Sequence, residues 1–112
     1  MVELIKDGKY SVVLKISKCD VSFLLEYLNN LNDSCISVLF NGKIVKFEIF
    51  IDEIEYDLII KSDSIKIYMD HDEIEYFKYR LNEVIAGNNF FPSELCERRL
   101  KNNSVTIYCI VV

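Results

Sequence analysis

The sequence predicts an α+β domain spanning residues 1–112, built on a mainly antiparallel sheet of about six strands in the order β-α-β-β-β-β-α-α-β, with helices packed on one face. Three observations predict it. Alternating apolar and polar residues flank an Asn41-Gly42 pair. Two stretches carry apolar side chains at helical spacing behind residues suited to cap a helix. And 112 residues, 51% of them hydrophobic, suffice for one core but not for two.

The elements follow in chain order. Lys9 to Ile16 alternates, with Tyr10, Val12, Leu14 and Ile16 on one face, and reads as a strand. Asp20 then caps a helix whose apolar positions are Val21, Leu24, Leu25, Leu28 and Leu31, and the polar string around Asn29, Asn30 and Asn32-Asp33-Ser34 ends it. Cys35–Phe40, Asn41-Gly42 and Lys43–Ile51 form the strongest local signal. Asn and Gly tolerate the positive φ angles of a type I′ turn, so a hairpin forms with Phe40 facing Lys43, Val38 facing Val45 and Ile36 facing Phe47. If Asp52-Glu53 is a second tight turn, Ile51 meets Ile54, Ile49 meets Tyr56 and Phe47 meets Leu58. A third turn at Lys61–Ser64 pairs Ile60 with Ile65, Leu58 with Ile67 and Tyr56 with Met69, completing a four-stranded meander.

Asp70 and Glu73 have capping-box spacing at the head of a second helix with the stripe Ile74, Phe77, Leu81, Val84 and Ile85, and Gly87 suits its left-handed end. Pro92 opens a short helical turn through Arg99. Val105–Val112, apolar on both faces, reads as a strand inside the sheet, beside the first strand.

The string Asp-Glu-Ile-Glu-Tyr occurs twice, at 52–56 and 72–76. The first copy falls on a turn and strand, the second on a helix, so they are not structural equivalents. Both enrich one acidic region. Between Glu48 and Glu75 ten carboxylates stand against Lys61 and Lys66, a net −8 in a chain of −5, which leaves +3 for the remainder. On the meander Glu48, Phe50, Glu55, Asp57 and Tyr68 share the face opposite the core, with Asp52, Glu53, Asp72, Glu75 and Tyr76 as neighbours. Carboxylates interleaved with rings form a docking surface for a basic partner, the charge raising the on-rate and the rings anchoring. The late basic group, Lys78, Arg80, Arg98, Arg99 and Lys101, reads as charge balance on exposed helices.

Other chemistry finds little support. His71, the single histidine, lies between Asp70 and Asp72, but adjacent helical positions diverge and do not converge on one ion. Cysteines 19, 35, 96 and 109 lack metal-ligand spacing, and the expectation is four reduced, mostly buried thiols in a cytoplasmic protein, with a disulfide left open. Nucleophile elbow, phosphate loop and dinucleotide fingerprint are absent, no cofactor is implied, and the acidic balance argues against direct nucleic-acid binding. No apolar run reaches the roughly 20 residues of a membrane span, and Lys6 and Asp7 interrupt any signal-peptide core. One Ala, three Gly and one Pro against fifteen Ile, nine Asn and ten Lys point to an AT-rich gene.

Small size, acidity, a strand-rich core and an acidic face bearing rings together resemble the immunity proteins of bacterial contact-dependent growth inhibition systems. The resemblance implies a non-enzymatic inhibitor that covers the active site of a cognate toxin, often a nuclease with a basic cleft, through the ten face and neighbour residues named above. The inhibitor is a monomer or homodimer. Two alternatives stand beside it: a phage-encoded inhibitor of a host nuclease of the anti-CRISPR kind, and a small metal-dependent hydrolase centred on His71.

Overall fold

The Asn41-Gly42 turn makes the hairpin that the sequence predicts. Both residues adopt positive φ, 52° and 77°, and the register pairs Phe40 with Lys43, Val38 with Val45 and Ile36 with Phe47. In the computed structural model, which describes residues 1–31, 34–88 and 92–112, this hairpin is one of four. The elements are β1 (Glu3–Asp7), β2 (Ser11–Ile16), a 3₁₀ turn (Lys18–Asp20), α1 (Val21–Asn29), β3 (Ile36–Phe40), β4 (Lys43–Ile51), β5 (Leu58–Ile60), β6 (Ser64–Met69), α2 (His71–Ile85), β7 (Ser93–Leu100) and β8 (Asn103–Val111).

The sheet corrects the expected one. It holds eight strands among the described residues, not about six, in the order β5-β6-β4-β3-β1-β2-β8-β7. β1 with β2, β3 with β4, β5 with β6 and β7 with β8 pair antiparallel as hairpins, whereas β1 with β3, β2 with β8, and β4 with β6 pair parallel. A parallel bridge from Asp57 to Arg99 brings the two edges together, so the sheet curls into a nearly closed barrel. These directions put all four hairpin turns at one end, and both helices at the other. α1 and α2 pack against each other, and Leu24, Leu28, Ile74, Phe77 and Leu81 join the inward strand residues in one core.

Each departure has a local cause. β1 is short, and charged at Glu3, Lys6 and Asp7, which hides its inward Leu4 and the buried Val2 just before it. The helical turn expected from Pro92 to Arg99 is instead the strand β7; a bulge between Glu94 and Cys96 breaks its alternation, and an arginine, Arg98, occupies an inward position. The four-stranded meander fails at Asp52-Glu53. The Asp52 carboxylate accepts hydrogen bonds from the N–H groups of Ile54 and Glu55, so the chain turns away, and β4 pairs with β6 instead of β5. The expected Ile60–Ile65 and Leu58–Ile67 pairs form, but Ile51 and Ile54 are exposed. Asp20 stands before α1, yet its carboxylate turns back to accept from the N–H and hydroxyl of Ser17. α2 starts on the reciprocal Asp70–Glu73 box, and Gly87 adopts φ 85° after its last turn. Ile85 is exposed, outside the stripe assigned to it. β8 lies between β2 and β7, with β2 its parallel neighbour, as expected of the last strand. Asn32 and Asp33, in the string expected to end α1, lie outside the described residues.

The barrel is built twice. β1-β2-α1-β3-β4 and β5-β6-α2-β7-β8 have the same strand directions and the same neighbours. The correspondence extends to single hydrogen bonds. Leu39 N–H donates to the carbonyl of Val2 at 2.9 Å, and Arg99 N–H to that of Tyr56 at 2.7 Å. Thr106 N–H donates to Tyr10 as Lys46 N–H does to Asp63, and Val112 N–H to Ile16 as Asp52 N–H does to Met69. Ser17 with Asp20 matches Asp70 with Glu73, and the left-handed Asn41 matches Lys101 at φ 54°. The seams differ. Where the first half has the buried Val38 at β1–β3, the second has Arg98, 3% exposed, whose guanidinium donates to the carbonyls of Tyr68 and Glu97 and to Glu73.

Two predictions follow from the repeat and its unequal seams. Arg98→Ala strands Glu73 and two carbonyls, and should cost about 3–5 kcal/mol, lowering the melting temperature by more than about 10 °C. Arg98→Met with Glu73→Gln should recover most of that loss, and thermal unfolding of both variants checks it. Under the repeat Val112 corresponds to Asp52 and Met1 to Glu55. A circular permutant opened between Glu53 and Ile54, with a linker of about two residues from Val112 to Met1, should therefore unfold cooperatively; a molten or aggregated product would contradict the equivalence.

Candidate partner-binding surface

Four of the five residues expected on the outer face do share it. Phe50 and Tyr68 lie opposite one another on β4 and β6, their rings stacked at 5.5 Å between centroids. Glu48 is in register with Lys66, whose ammonium sits 5.9 Å from the Phe50 centroid. Asp57, just before β5, accepts from Arg99 Nε at 3.0 Å and lies 3.0 Å from its Nη2. Glu55 lies in the connecting segment instead. This face is therefore charge-balanced, not a bare acidic plate: Lys66 faces Glu48, and Arg99 closes the barrel on Asp57.

The unbalanced acid lies one strand end away. The segment 52–57 crosses to the head of α2, where Glu53 Oε1 accepts from the His71 N–H at 3.2 Å. That bond gives the first turn of α2 an acceptor and joins the two Asp-Glu-Ile-Glu-Tyr copies side by side. Tyr56 covers the Arg98 guanidinium, 5.2 Å from its ring centroid, and Arg98 in turn holds Glu73. Around this knot the surface is apolar as well as acidic. Ile54 is 80% exposed and Tyr79 61%, with Ile51, Tyr56 and Tyr76 also exposed. On α2 Asp72, Glu75, Tyr76 and Tyr79 occupy the side away from the buried Ile74, Phe77 and Leu81. Glu75 pairs with Lys78, while Glu55 and Asp72 enter none of the ion pairs formed among the described residues.

Three exposed residues, Ile54, Tyr56 and Tyr79, stand outside the surface expected from sequence. The expected turn at Asp52-Glu53 puts Ile54 and Tyr56 on the core face, whereas Tyr79 is legible: it lies three residues beyond Tyr76 and off the apolar stripe. The roles of Arg98 and Arg99 were also missed, because a strand was read as a helix.

His71 is exposed, and among the described residues no three His, Cys, Asp or Glu side chains are grouped to hold a metal ion. No described helix is long and apolar enough to cross a membrane. All four cysteines are free; Cys19 and Cys35 are exposed, and Cys96 and Cys109 are buried. Burial pushes both buried thiols up to about 12. No protein-family model matches the chain, and no curated protein sequence matches it.

The thiols give a test of this arrangement. A chromogenic disulfide reagent near neutral pH should titrate two thiols in the native protein and all four in denaturant. Because the folded-state thiol pKa values are raised, the buried thiols contribute stability that is fully present below the unfolded value of about 9 and lost as pH rises toward 12. Burial raises the Tyr27 phenol too, in the same sense. Melting temperature should accordingly fall across that alkaline window, and Cys96→Ala with Cys109→Ala should flatten the fall.

Proposed function

We propose that the protein is a binding module, not an enzyme, and that it docks on a basic surface of a partner protein through the 51–57 segment and the exposed side of α2. The observation that carries this reading is that the 52–57 segment and the outer side of α2, tied together by the Glu53–His71 bond, expose Ile54, Tyr56, Tyr76 and Tyr79 along with Glu55, Asp72 and Glu75. Side chains at that exposure bury little apolar surface within the fold, and a patch ringed by carboxylates suits a partner that brings cations and an apolar contact together. Tyr76 and Tyr79 sit on a helix of about four turns, and Tyr56 is held against Arg98, so the anchors have little conformational freedom to lose on binding. The unpaired acids supply steering.

The resemblance to immunity proteins gives the partner: a toxin domain, of the nuclease kind, whose basic active-site cleft the acidic end covers. Compared with the face expected from sequence, the docking surface is shifted. Glu55, Asp72, Glu75 and Tyr76 remain in it, Ile54, Tyr56 and Tyr79 join it, and Glu48, Phe50, Asp57 and Tyr68 support it from the adjoining sheet.

Co-expression with the product of the adjacent reading frame tests the proposal. A stoichiometric complex should form and loosen with rising salt. Glu55→Lys with Asp72→Lys should weaken it at least about tenfold, chiefly through slower association, while the free protein stays folded and loses only the small stability that reversing a first-turn charge of α2 costs. No complex, or one indifferent to both reversals, would overturn the assignment.

A further inference from the structure

At the end of the barrel away from the helices, the hairpin turns surround an open concavity of about 300 Å³. Its floor is apolar, made by Phe40, Ile60 and Leu100, and its rim carries Lys6, Lys9 and Lys101. Asn41 and Asn103 complete the lining, which holds no carboxylate. None of the three lysines takes part in an ion pair among the described residues. The barrel interior is filled by apolar side chains, with only a small void of about 10 Å³ among Leu14, Ile49, Ile67 and Phe77. Anything bound here therefore stays in the mouth.

Lys101 marks the site in a second way. It holds a left-handed backbone, φ 54°, at the first turn position of β7–β8. The equivalent residue of the other half is Asn41, at φ 52°, a residue type suited to that conformation. A lysine has no such aptitude. The turn is strained by the residue that completes the ring of ammonium groups, and strain of that kind accompanies binding sites.

We propose that this mouth binds a small organic anion: a ring-sized apolar body on Phe40, Ile60 and Leu100, with one carboxylate or phosphate group held by Lys6, Lys9 and Lys101. Concave, mostly apolar sites with a few convergent polar groups are how proteins hold such molecules, and barrel mouths are a common place for them. The three cations select the anionic head, and the floor selects against a bare inorganic ion. The site lies at the opposite end from the acidic docking surface and does not depend on it.

The test is a ¹H–¹⁵N NMR titration of the whole protein with phenylacetate, phenyl phosphate, phenylethanol and inorganic phosphate. One of the two aryl anions should shift the amides of Lys6, Asn41, Leu100 and Asn103 saturably, and the tighter of the two identifies the head group. Phenylethanol and inorganic phosphate should bind at least about tenfold more weakly, the loss of one charge-assisted contact. Lys101→Gly should weaken the aryl anion by about the same factor while raising the melting temperature, because glycine relieves the left-handed strain. No saturable shift from either aryl anion, equal binding of inorganic phosphate, or unchanged affinity in Lys101→Gly would overturn the proposal.

Discussion

The barrel depends on the way two adjacent arginines close it. β5 is three residues long, and a single bridge joins Asp57 to Arg99, so the backbone holds this seam thinly. Two neighbouring side chains of β7 add what the backbone lacks. Arg99 points outward to Asp57, and Arg98 points inward to the head of α2 and the end of β6. A buried ion pair is roughly break-even against apolar packing in stability, and the first half indeed closes its own seam around Val38. The difference lies in geometry. A guanidinium presents donors in a fixed fork, so it fixes the positions of Glu73, the Tyr68 carbonyl and the Tyr56 ring relative to one another. The residues proposed to meet a partner hang from that fork.

The chain separates charge along the barrel. The turn end carries Lys6, Lys9, Lys43, Lys61 and Lys101 against Asp7 and Asp63, and the helix end carries the carboxylates of residues 52–55 and 70–75. The segregation visible in the sequence thus becomes a polarity in space. A molecule with such a moment turns in the field of a basic surface before touching it, presenting its acidic end first. The cationic mouth is carried to the far side, where it stays open to solvent.

The parts legible in the sequence are those whose cause is local. Asn41-Gly42 specifies its hairpin and register, Asp70 and Glu73 specify the start of α2, and Gly87 follows its end, because each depends on a few adjacent dihedral angles or caps. What stayed hidden depends on distant partners. The Asp52 carboxylate decides between a tight hairpin and a crossover by capping two amides, which no periodicity records. β7 is masked by its bulge and by Arg98, whose partners lie 25 and 30 residues away. The acidic stretch with its rings is visible in the sequence, but the meander pattern puts Glu55 on the sheet face, whereas it lies in the connecting segment. The duplication is hidden for a different reason. Equivalent positions such as Leu14 and Ile67, Val21 and Ile74, or Phe47 and Ile107 keep burial and lose identity. The one literal repeat, Asp-Glu-Ile-Glu-Tyr, falls at inequivalent places.

Two equivalent halves in one chain have a thermodynamic meaning. A ββαββ unit standing alone would leave two strand edges and half a core exposed, and could close a barrel only by meeting a second copy, at a rate and extent set by its concentration. The segment 52–57 replaces that encounter with an intramolecular one, at the high effective concentration of a short tether. It also frees the seams from each other. A symmetric pair would carry an arginine at both seams or at neither, and lysines on both turns of the mouth or on none. Covalent linkage lets one half keep Val38 and Asn41 while the other takes Arg98 and Lys101, so one scaffold presents unlike surfaces without needing a second gene product.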